Sequence, residues 1–223
     1  MTSSWSFAEP IAQDLAYHRF ADTRAWWGLP NAADVLSNLF FVVVGVAGLV
    51  WLARHAGARR WMWVMFFVGV TLTGFGSGWY HLQPGNETLV WDRLPMAVAF
   101  MAFLAALIAD RVSDRGGAWL FGPLLVLGVG SVVYWHYTDD LRPYALVQFG
   151  PLLVMPLLLA RYPARQLRTS DVLLVLGWYV LAKVLERADA RVFALDGGVV
   201  SGHTLKHIAA AAGCGWVLRA LMR

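Results

Sequence analysis

The chain has 223 residues, of which 59% are hydrophobic and only 14% charged, with a formal charge of +4. That balance excludes an ordinary water-soluble domain and places the chain among membrane proteins. No long basic run accompanies the charge, so it bears on membrane orientation and not on nucleic acid, and a single cysteine, Cys214, excludes a disulfide framework.

Residues 1–33 form an N-terminal extracytoplasmic segment with Glu9, Asp14 and Asp22 and no long apolar run, which is not the pattern of a signal peptide. Its stretch from Phe7 to Phe20 is amphipathic and suits an interfacial helix. From residue 34 to 223 the apolar segments read as one all-α, seven-transmembrane helix bundle, since a bilayer core takes roughly 20 apolar residues per helix. The spans are expected from Asp34 to Ala53, Trp61 to Leu82, Thr88 to Ala109, Trp119 to Tyr137, Tyr144 to Ala160, Asp171 to Asp189 and Gly202 to Leu221. Charge or turn chemistry fills the breaks, as in "QPGNE", "TDDLRPY" and "RVFALDGGVVS".

Arginine in the loops sets the expected topology. Arg54, Arg59, Arg60, Arg111, Arg115, Arg161, Arg165, Arg168, Arg219 and Arg223 fall on one side, against Arg19, Arg24, Arg142 and Arg191 on the other. The C-terminus is therefore expected in the cytoplasm and the N-terminus outside or in a lumen.

Ionisable residues within spans are costly and mark function. Span two ends with Ser77 and His81, span three begins with Asp92 and Arg93, and span seven begins with His203 and His207. The topology brings all of them to the extracytoplasmic face. His203 and His207 are four apart on one helical face, the geometry of a paired-histidine zinc clamp. His81 supplies a third nitrogen, and three protein ligands leave the open position of a catalytic zinc. The tight "LQPGNE" turn makes spans two and three antiparallel neighbours, with Asp92 beside His81. The plainer readings are a helix-packing serine in "GSG", an Asp92–Arg93 ion pair near the headgroups, and solvated histidines. His18 and His55 lie in exposed segments with no specific role expected. His136 reads as interfacial, with Tyr134, Trp135 and Tyr137 as an aromatic belt. Trp79, Tyr80 and Trp91 are either headgroup contacts or, the preferred reading, belt residues.

The set "NAADVLSNLFF", "GFGSGWYHLQP", "VWDRLPM" and "SGHTLKH" resembles the alkaline ceramidase family, part of the CREST group of seven-span metal hydrolases. The resemblance implies one catalytic Zn2+ held by His81, His203 and His207. It implies Ser77 and Asp92 as the catalytic polar pair around the attacking water and the substrate carbonyl, and it brings in Ser37 and Asn38. The lipid substrate it implies is ceramide, cleaved to sphingosine and a fatty acid. This chain departs from the family at Ala33 and Asp34, and its segment before the first span has Asp22 as its only acid in "FADTRAWWGLPN". A calcium site is therefore not carried over. Three alternatives stay open: hydrolysis of another N-acyl or O-acyl lipid, an intramembrane serine hydrolase using Ser77, and a non-enzymatic seven-helix receptor or scaffold in which zinc is structural.

Overall fold

The computed structural model describes residues 9–223 apart from Ala56 and Ala58. Its helices are α1 (Ala32–Ser37), α2 (Leu39–Arg54), α3 (Arg60–Leu82), α4 (Asn86–Arg111), α5 (Asp114–Thr138), α6 (Arg142–Arg161), α7 (Thr169–Arg187), α8 (Asp189–Leu195) and α9 (Gly202–Leu221). α1 and α2 run on as one rod, Ala32–Arg54, jointed at Asn38. The joint has a local cause: the Ser37 hydroxyl and the Asn38 amide both donate to the Asp34 carbonyl, at 2.9 and 2.8 Å, competing with the helical ladder.

Among the described residues eight helices therefore stand where seven were expected, because part of the loop "RVFALDGGVVS" is the short helix α8. Five of them, Ala32–Arg54 and α3 to α6, are long and apolar enough to cross a membrane by length and composition, which fits a multi-pass membrane protein. α7 and α9 have 19 and 20 residues. They fall short because they carry Lys183, Glu186 and Arg187, and His203, Lys206 and His207, within the length that would span.

α4 is the most buried of the five and packs along α3 on one side and α5 on the other, while α9 packs along α7. Pro95 removes the N–H that would bond the Trp91 carbonyl, and Gly76 of α3 sits directly against that carbonyl. A Cβ at Gly76 would collide with Trp91 O and stand 2.7 Å from its carbonyl carbon. The close approach places Ser77 next to Asp92. At the other end of α4 the chain is clamped by ions and backbone. Asp110 pairs with Arg59 at 3.3 Å and accepts from the Gln166 amide at 2.8 Å. Arg111, 2% exposed, donates to the Leu167 carbonyl at 2.7 Å. Two arginines counted above as free loop charges are thus structural.

Phe7 lies outside the described residues. From residue 9 the expected interfacial helix is reduced to one 3-10 turn, Leu15–His18, capped by Asp14. The segment is instead a strap across the end of the bundle where α3 finishes and α4 and α9 begin. Its anchors are polar: Leu141 N donates to Ile11 O at 2.9 Å, Gln13 N to Asp139 at 3.1 Å, Ala21 N to Asp189 at 2.9 Å, and Asn31 Nδ2 to the His81 carbonyl at 2.8 Å. Outside the spans, the Arg142 guanidinium holds the Asp140 carboxyl down at about 2, and Arg24 lowers Asp22 in the same way.

Candidate metal and lipid site

The three expected ligands meet. His81 comes from the last turn of α3 and His203 and His207 from the first turns of α9, and one ligand atom from each lies within 4.8 Å of the other two. Ring centroids are 4.9, 4.9 and 5.0 Å apart, and all three side chains are buried. α9 is started where it must be by two caps. Ser201 accepts from Thr204 N at 3.0 Å, and Asp189 accepts from His203 N at 2.8 Å.

The surroundings orient the rings. The Ser37 hydroxyl gives its proton to the Asp34 carbonyl and so accepts from His207 Nδ1 at 2.8 Å. That leaves His207 Nε2 with its lone pair, buried and without a protein partner. Both ring nitrogens of His81 are likewise buried and unpartnered. Lys206 Nζ donates to His203 Nε2 at 2.9 Å, so the lone pair of this nitrogen is held by the ammonium and would have to be released to bind a cation. Buried unsatisfied nitrogens are expensive, and three imidazoles converging on one small volume, two of them with unpartnered nitrogens, are a donor set a divalent cation takes. The residues fit a metal ion.

Ser77 and Asp92 are 3% and 7% exposed, and the Ser77 side chain is within hydrogen-bonding reach of Asp92. Both line a cavity of about 360 Å³ that also reaches His207. The rest of its wall is largely apolar, with Val70, Phe100 and Met155 among the contributors. The Asp92–Arg93 ion pair does not form: Arg93 has no carboxylate within 4 Å among the described residues. It donates to Gln13 Oε1 at 2.5 Å and lies over the Trp135, Tyr144 and Tyr17 rings at 4.2, 4.7 and 5.7 Å. Trp135 therefore turns inward and leaves the aromatic belt, whereas Tyr134, His136 and Tyr137 stay exposed. Trp79 and Trp91 are exposed as belt residues, but Tyr80 is 1% exposed.

Several participants escaped the sequence reading. Phe20 of the strap lies over His81 and His203, at centroid distances of 4.6 and 4.7 Å, and closes the histidine cluster from outside the bundle. His18, expected to be idle, bonds Tyr80 OH and Asn86 Oδ1, both at 2.9 Å, and so fastens the strap. Glu186 is shared between Lys183 (2.5 Å) and Lys206 (2.9 Å) and is touched by Tyr17 OH at 3.3 Å. The spacing of Lys183 and Glu186 within one span, and a lysine between two histidines, were the available signals.

A family model described as Ceramidase matches residues 31–183. The chain belongs to the ceramidase family. Comparison with curated proteins gives no match. Ceramidase membership implies a hydrolase acting on the amide bond of a lipid, with ceramide as the implied substrate. The match takes in Ser77, His81 and Asp92 and stops before His203 and His207. The coordinates bring those two histidines to His81 independently of the family match.

Proposed function

We propose that the chain is a zinc-dependent hydrolase of lipid amide bonds, cleaving ceramide or a related N-acyl lipid to an amine and a fatty acid. The observation that carries this reading is the convergence of His81, His203 and His207, with unpartnered buried nitrogens on His81 and His207, at the end of an apolar cavity. A zinc ion bound there would polarise the substrate carbonyl and bring the pKa of a water to about 7. Asp92 is not among the converging ligand atoms, which supports an open catalytic site over a closed structural one.

The chain's own groups then have separate tasks. A carboxylate oxygen of Asp92 takes a proton from the attacking water and returns it to the leaving nitrogen. The Ser77 hydroxyl donates to the carbonyl oxygen as negative charge develops, a contribution on the order of 2.7–4 kcal/mol for one preorganised donor. At rest this hydroxyl reaches Asp92, so its turn toward the oxyanion frees the carboxylate for the proton. The apolar cavity holds the acyl chain and excludes water. A serine-nucleophile reading has no histidine base in place, because neither His81 nitrogen has a hydrogen-bond partner. The excess of loop arginines at the opposite end supports an extracytoplasmic site.

Metal analysis of the purified protein and hydrolysis of a fluorescent ceramide test this together. Wild type is expected to hold about one zinc per chain, and His203→Ala to lose both metal and turnover. Wild-type rates from His203→Ala, or from metal-free protein, would overturn the reading.

A further inference from the structure

α6 packs against α4 and α5, and α7 against α8 and α9, but α6 and α7 make almost no contact with each other. The gap is a groove of about 690 Å³ lined by Phe149 and Leu152 of α6 and by Tyr179, Val180, Val184 and a row of cations along α7 and α8. Phe149, Leu152, Tyr179 and Lys183 also line the cavity at the histidines, so groove and cavity adjoin across these four side chains.

The charge of this groove is one-sided. Lys183, Arg187 and Arg191 follow each other at intervals of four, and no aspartate or glutamate lines the groove. Lys183 shares Glu186 with Lys206. Arg187 and Arg191 have no ion-pair or hydrogen-bond partner among the described residues. The cations lie toward the end of α7 nearest the histidines, and Phe149, Leu152 and Val180 lie deeper. An apolar trough with a cationic rim, open between two helices, is complementary to a lipid whose chain is apolar and whose head is an anion.

We propose that the α6–α7 groove is the entrance for substrate and selects an acyl lipid with an anionic headgroup, a phosphate or carboxylate held by Lys183, Arg187 and Arg191. This rests on the lipid-hydrolase reading of the histidine site and narrows its substrate class.

The test compares ceramide with ceramide 1-phosphate of the same acyl chain, which differ only in the phosphate. Binding is measured on chelator-treated protein in neutral detergent, and hydrolysis of both lipids on metal-loaded protein. The phosphorylated lipid is expected to bind about tenfold more tightly, and the double variant R187Q/R191Q to erase the difference between the two. Equal affinities in wild type, a preference that survives in the variant, or full displacement by millimolar inorganic phosphate would each overturn the proposal. The two readings fail separately. Ceramide hydrolysed with no phosphate preference removes the groove proposal alone. A phosphate preference that depends on the arginines, with neither lipid hydrolysed, removes the hydrolase reading alone.

Discussion

Ser37 shows how a residue away from the reacting atoms shapes the site. Its hydroxyl is committed to the Asp34 carbonyl, so it can only accept from His207. Ser37→Ala removes the group that fixes the His207 ring and its protonated nitrogen. Metal affinity should fall about 10- to 100-fold, read by chelator competition, while the fold stays intact. Ser77→Ala should behave in the opposite way: metal content unchanged, kcat down by roughly 10²–10³. The meeting of His81, His203 and His207 was legible because spacing and topology both constrain them. The roles of Lys206, Glu186 and Phe20 were not, because each depends on which side chain it meets from a distant segment. Nothing in the local sequence around Phe20 distinguishes a residue lying on imidazoles from one lying on lipid.

At the level of elements, the contact of α3 with α4 rests on a missing side chain and a missing N–H, at Gly76 and Pro95. Gly76→Ala should push the helices apart and cost about 1–3 kcal/mol, seen as a lower Tm. The same shift should separate Ser77 from Asp92 and reduce kcat. The apolar helices were legible by length and hydropathy. α8 was not, since seven residues followed at once by "DGG" read as a turn. α7 and α9 were expected as spans equal to the others, and they differ because the residues that make the site displace the apolar ones. The seam between α6 and α7 was invisible, since periodicity tells which face is apolar but not whether a neighbour covers it.

Across the whole molecule, the strap ties the loops at the site end to each other. Three of its seats are carboxylates, Asp139, Asp140 and Asp189. Asp140 accepts from Ile11 N at 3.4 Å, and Arg142 keeps its carboxyl at about 2. A carboxyl depressed in the folded state stabilises above the unfolded value near 3.9 and loses that contribution as pH falls toward the folded one. Hydrogen-exchange protection of residues 9–20, taken relative to the intrinsic rate at each pH, should therefore be constant from pH 7 down to about 4 and fall between about 4 and 2. Asp140→Asn should show the reduced protection already at neutral pH. Arg59 and Arg111, held by Asp110 and by loop carbonyls, illustrate a limit of counting loop charges: the tally cannot distinguish a solvated arginine from a strut.

The closure of the histidine cluster by Phe20 also orders events at the ribosome. Phe20 is translated before any of the helices, and the imidazole of His203 on which it rests is translated almost at the end. The strap must wait, unseated, until α9 has been made and has entered the bundle. Assembly of the histidine cluster thus follows synthesis of the other described helices, and a nascent chain stalled before α9 would present α3 and α4 with a loose strap and only His81 of the three clustered histidines.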